Sequence, residues 1–161
     1  MVRAGLAALG LLGAGCVQPP AVMIDLAVTA SPGWSETRWR RALDQAGARL
    51  SVCSVGLRPA REGVLALEFV DRLPPLPDGR ARAGLVLAPR GSQTPTARIS
   101  ADHAAGAVIA HELGHLLGLG HAPDHAIDLM APDGCRFCDF SADQCAVIRE
   151  NAAQPALGDG S

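Results

Sequence analysis

In the stretch "HELGHLLGLGH", residues 111 to 121, His111 and His115 stand four positions apart and His121 follows six later. On a helix, positions i and i+4 project from one face, so the first two imidazoles can reach a common point. Zinc accepts neutral imidazole nitrogens, and two from one helical turn supply two corners of a tetrahedron. A catalytic zinc needs a third protein ligand and one open position. His121 can be that ligand only if the chain turns back just past the helix. Gly118 is placed to make the turn, because glycine accepts left-handed backbone angles at little cost. Glu112, next to the first ligand, can stand beside the metal without binding it and take a proton from water activated there. At ordinary residue frequencies these five identities coincide by accident in on the order of one chain per 100,000. An incidental cluster of helix histidines is therefore the weaker explanation.

Several elements must position this set. "MIDLAV" lies within an apolar run, Val22 to Val28, that suits a buried strand. Ser35 can cap a helix in which Trp39, Leu43 and Ala46 recur at three- and four-residue intervals, with Gly47 near its end. "LSVCSVGLR", "GVLALEFVDRL", "AGLVLAP" and "TARIS" read as four further strands, with "PPLPDG" as a turn between them. The histidine helix is expected from Asp102, its N-cap, to Leu117, with His103 in the first turn. A loop then runs to Cys138, and "SADQCAVIRENAA" forms a last helix opened by the capping-box pair Ser141 and Gln144. The order predicts an α+β or mixed α/β domain with its strands ahead of the histidine helix.

Composition bounds the rest. At 161 residues the chain suits one domain with a real core. It is 48% hydrophobic but has no Tyr, two Trp and three Phe, so Leu, Val, Ala and Ile must fill that core. Fourteen basic against sixteen acidic residues leave a formal charge of −2, which offers no footprint for nucleic acid or an anionic membrane. Residues 1–15, "MVRAGLAALGLLGAG", have the charge, apolar run and small residues of a secretory signal peptide. With Cys16 directly after, they resemble a bacterial lipoprotein signal, which implies lipidation of Cys16; ordinary cleavage and secretion is the alternative. The domain is then residues 17–154, and residues 155–161 form a flexible tail. Four cysteines remain for an exported chain: Cys53, Cys135, Cys138 and Cys145. They predict two disulfides, with three pairings open. Cys135 and Cys138 could instead be half of a metal knuckle, but no second pair has that spacing.

With these residues in view, "HELGHLLGLGH" resembles the extended zinc signature of the metzincin clan of metallopeptidases. "DLMAP" follows, and the resemblance makes Met130 the residue of the clan's methionine turn. Leu-Met-x-Pro and the short gap from the third histidine look most like the matrixins, the matrix metalloproteinase-like family. The resemblance is strongest over residues 108 to 132. It implies a zincin-like fold, with a twisted mixed sheet, an active-site helix beneath it and a C-terminal helix. It also implies an exposed edge strand that pairs with an extended peptide. "TARIS" (Thr96, Ala97, Arg98, Ile99 and Ser100) is the candidate for that strand; the alternative is an ordinary covered strand. The function implied is an exported zinc metalloendopeptidase acting as a monomer on peptide or protein substrates. His111, His115 and His121 would be the metal ligands and Glu112 the general base. A zinc-bearing scaffolding lipoprotein without turnover, and a hydrolase of non-peptide amides, are the rival readings. Some positions depart from the matrixin pattern: Ala122 stands where Ser or Thr is common, and Ala131 where Tyr is. Substrate preference is therefore not carried over. No inhibitory propeptide cysteine motif is present. His103 and His125 lack the family's structural metal motifs, while Asp124 and Asp128 in "PDHAID" are a candidate calcium pair.

Overall fold

The strands sort their side chains by alternation. In β3 (Leu65–Val70) Leu65, Leu67 and Phe69 are buried, and in β1 (Val22–Ala30) Ile24 and Leu26 are. These period-two sets define one covered face of a sheet. The other face carries cross-strand ion pairs at register positions, Asp25 with Arg58 and Glu68 with Arg98. The computed structural model describes residues 20–87, 93–103, 105–123, 127–132, 135 and 137–154. The signal segment, Cys16, Asp124, His125 and the tail lie outside the described residues.

Five strands form the sheet, in the order β2-β1-β3-β5-β4. β2 (Val55–Ala60) and β3 run parallel to β1 on its two sides, and β5 (Thr96–Ser100) runs parallel to β3. Only β4 (Gly84–Leu87) is antiparallel, paired with β5. α1 (Glu36–Ser51), α2 (Gly106–Leu116) and α3 (Ala142–Ala153) pack with the sheet and one another. This is a mixed α/β fold with a mostly parallel sheet and three helices, in the element order expected. Ser35 caps α1 through its side chain, and Ser141 with Gln144 forms a complete capping box on α3.

Two expectations are corrected. β5 is not an edge. β4 pairs along its outer side from Thr96 to Ile99, while Ala66 to Val70 pair along the inner side, so both rows of its backbone groups face other strands. The end of the sheet at the histidine helix is β4 instead. Asp102 is not the N-cap of α2, and His103 is not in its first turn. Both lie in a separate 3-10 turn, Ala101–His103, and α2 starts at Gly106 after Ala105. The acceptor at this helix start comes from α1: Gln45 Oε1 takes the Gly106 N–H at 3.3 Å. A side chain 61 positions away does what a local cap would have done.

Two disulfides are present, Cys53–Cys145 and Cys135–Cys138. The first ties the end of α1 to α3 across 92 positions of sequence; the second closes a short loop ahead of α3. Such bonds suit an oxidising compartment outside the cytosol. Among the described residues no helix is long and apolar enough to cross a membrane. α3 is held further by Ile148, fully buried in the core, whose truncation to Ala should cost about 2–5 kcal/mol.

Candidate metal centre

α2 carries His111 and His115 on one face and ends at Leu116. Gly118 follows with φ of +88°, a left-handed angle that most side chains resist. The Leu119 N–H then bonds back to the Gly114 carbonyl at 2.9 Å, and the reversed chain brings His121 beside the helix. One donor atom from each of His111, His115 and His121 lies within 4.8 Å of the others. His115 Nε2 is 3.0 Å from His111 Nε2 and 3.2 Å from His121 Nε2. Burial falls along the set, from buried His111 through half-buried His115 to exposed His121, so the group opens to solvent on one side.

The ring nitrogens facing away decide what these atoms can hold. His111 Nδ1 donates to the Leu129 carbonyl and His115 Nδ1 to the Leu119 carbonyl, each at 2.8 Å. A carbonyl only accepts, so in a neutral ring the proton sits on Nδ1 and Nε2 presents a lone pair. Burial lowers the pKa of both imidazoles, although their carbonyl partners oppose it, and so favours the neutral form. Two lone pairs at 3.0 Å cannot hydrogen-bond each other; a shared cation resolves the contact. Tetrahedral zinc at its usual distance to nitrogen would separate neighbouring ligand atoms by about 3.3 Å. The three histidines therefore fit a metal ion of zinc's size and ligand preference.

Glu112 lies on α2 beside this group and is buried. Burial raises its pKa from 4.5 to about 7, with Arg82 pulling the other way. The backbone of Gly84 on β4 rests against its carboxylate, with no room for a Cβ between them. The end strand of the sheet thus runs along the same side of α2 as the candidate base. Met130 is fully buried and packs on Gly114 of α2, the residue before His115. Its turn is closed by the Ala131 N–H donating to the Asp128 carbonyl at 3.2 Å, and the Ala122 N–H donates to the Met130 carbonyl at 2.9 Å. Ala131, at the departure from the matrixin pattern, is buried, while Ala122 is half-buried.

The remaining residues singled out from sequence are not part of this group. His103 is exposed in the 3-10 turn. Thr96 to Ser100 form an interior strand, with Ala97, Ile99 and Ser100 buried. Asp128, half of the candidate calcium pair, already accepts from the Met130 N–H at 2.7 Å and from the Gln144 amide at 3.0 and 3.1 Å. Sequence reasoning missed Arg82, Gly84 and the Asp128–Gln144 link. No local pattern could have flagged them, since each acts across a tertiary contact.

No family model matches the chain, and no curated protein matches it. Among solved structures 127 chains match, so the architecture recurs. One, from the "Structure of a chaperone-substrate complex", superposes with a TM-score of 0.61 at 14% identity, over 88% of this chain and 36% of that one. The chain thus spans about a third of that neighbour's length, and the likeness concerns the fold alone.

Proposed function

We propose that the chain is an exported zinc metalloendopeptidase of the metzincin kind, closest to the matrixins. The observation that carries the reading is the convergence of three Nε2 atoms beside a buried glutamate at the open end of the sheet. A bound zinc would supply Lewis acidity, polarising a carbonyl and acidifying water at its fourth position. His111, His115 and His121 would hold the ion, and the carbonyls of Leu129 and Leu119 keep two of the rings turned so that their Nε2 atoms converge. Glu112 takes the proton of the attacking water on its carboxylate and returns it to the leaving amine. Without metal, burial raises its pKa to about 7; a zinc ion beside it would lower that value and leave the carboxylate charged, the form that accepts a proton. Met130 packs under the ligands and bonds to nothing at the metal. β4, the end strand nearest Glu112, offers its outer edge to an extended peptide by strand addition.

The test is a broad peptide-library digest with and without a zinc chelator, alongside Glu112→Ala. Cleavage that chelator blocks, and that Glu112→Ala loses while keeping zinc, supports the reading. Zinc binding with no cleavage would point to a scaffolding protein of the same fold and sink the enzyme. Cleavage undiminished in Glu112→Ala would remove Glu112 as the base. On this reading the protein works as a monomer outside the cytosol, tethered by lipid at Cys16 or secreted; the two disulfides support export.

A further inference from the structure

Both carbonyls that orient the helix histidines belong to turns, not to α2 itself. Leu129, the partner of His111, sits in the turn between Asp128 and Met130. Leu119, the partner of His115, sits in the turn opened by Gly118. Contacts from outside such a turn add to its own backbone bonds in fixing the direction of its carbonyl, and such supports of ligand histidines tune metal affinity. In each case one outside contact comes from α3.

At the first turn, Gln144 is used at both ends of its amide. Its Oε1 accepts the Ser141 N–H at 2.8 Å, completing the capping box of α3. Its Nε2 donates to both oxygens of Asp128, whose Oδ1 also takes the Met130 N–H. The carboxylate therefore ties the start of α3 to the residue that follows the Leu129 carbonyl. At the second turn, Asn151 Nδ2 donates to the Leu117 carbonyl at 2.8 Å and lies directly over Gly118. Gln144 and Asn151 are seven positions apart, two helical turns, on one face of α3. Ile148 between them is buried, and Cys145 is bonded to Cys53 at the end of α1. This face of the helix is anchored to the core on its own account.

The geometry points to α3 as the positioning element of the metal centre, with Gln144, through Asp128, and Asn151 as positioning residues that set how tightly the three histidines hold a metal ion. The inference rests on the three-histidine centre, and not on peptidase activity. Gln144 acts through Asp128 on the Leu129 carbonyl and so on His111. Asn151 acts through the Leu117–Gly118 turn on Leu119, hence on His115, and on the course of the chain to His121. Neither residue touches the metal.

The capping box makes a clean test available. Gln144→Glu keeps length, shape and the acceptor for Ser141, and Glu is as good a capping-box partner as Gln. It loses only the donor facing Asp128 and sets two carboxylates against each other. Asp128→Asn added to it restores a donor–acceptor pair with the roles exchanged, while Asn Oδ1 still serves the Met130 N–H. Zinc affinity of the full chain, disulfides intact, is measured by competition with a chromophoric chelator. The Co2+ absorption spectrum of each protein reports ligand geometry.

Loss of outer contacts to ligand histidines typically weakens metal binding by about 10- to 100-fold. Gln144→Glu should therefore weaken zinc by about tenfold and alter the cobalt spectrum, and the double variant should recover to within about threefold of the parent. Asn151→Ala should weaken zinc similarly, whereas Arg149→Ala, exposed on the same helix, should not. Parent-like affinity and spectrum in Gln144→Glu, or a double variant no better than the single, would overturn the positioning role. If the parent fails to bind zinc at one per chain, or binds equally after His115→Ala, the centre itself falls and the inference with it.

Discussion

Replacing Glu112 by Gln in the metal-free protein should stabilise the chain at pH 8 relative to what the same change does at pH 4.5. Glu112 is only 8% exposed, and burial lifts its pKa from 4.5 to about 7 against the opposing field of Arg82. The folded value is the higher one, so between these two values the folded chain holds the proton more tightly than the unfolded chain. The stability from that proton is fully present below pH 4.5 and is lost as pH rises through about 7. A difference of about 2.5 in pKa, at about 1.4 kcal/mol each, amounts to about 3.5 kcal/mol in full, of which about 3 falls between pH 4.5 and pH 8. Gln keeps the shape and polarity of the neutral acid but does not titrate. The stability of the variant minus that of the parent should then climb by about 3 kcal/mol between pH 4.5 and pH 8. Histidine ionisation is common to both chains and largely cancels. Urea unfolding of both proteins across this range, in chelator and with disulfides intact, measures the difference. Added zinc puts positive charge beside the carboxylate, favours its charged form and should shrink the pH-dependent gap. A difference that stays flat, within about 0.5 kcal/mol, would refute the burial argument for Glu112.

Further outcomes can be checked on the same protein. Gly118→Ala forces a side chain into a left-handed angle, which costs about 1–2 kcal/mol. Its Cβ would also fall 2.5 Å from Asn151 Nδ2, so urea midpoint and zinc affinity should drop together; parent-like values of both would remove the turn's role in presenting His121. Replacing both Cys53 and Cys145 by Ser opens a loop spanning 92 positions and should cost about 4–5 kcal/mol, whereas the same change at Cys135 and Cys138 should cost about 2. Equal losses in the two variants would show that loop length does not govern their contributions. Cys16→Ser should move the protein from the membrane fraction to the soluble fraction; unchanged fractionation would exclude a lipid tether at that residue.

The sequence by itself marked the order of the elements and the three histidines that could hold a metal ion. Alternation and breakers marked five strands and three helices in the right order, because strand and helix periods are local properties of the chain. The four-residue step from His111 to His115, and the glycine at 118, were enough to expect three imidazoles at one point, since helix geometry and one left-handed turn relate them. The tertiary structure decided everything that depends on partners distant in sequence. Which strand ends the sheet could not be read from "TARIS" and "AGLVLAP" one at a time, because edge status belongs to the pairing and not to the strand. The start of α2 moved from Asp102 to Gly106 once Gln45, from α1, supplied its acceptor. Disulfide pairing followed from where α1 and α3 meet. Asp128, which reads in the sequence as half of a candidate calcium pair, accepts instead from an amide on another helix. Periodicity and spacing report what a side chain can do within a turn or two of its own backbone; what it does across the core is set by which surfaces burial brings together.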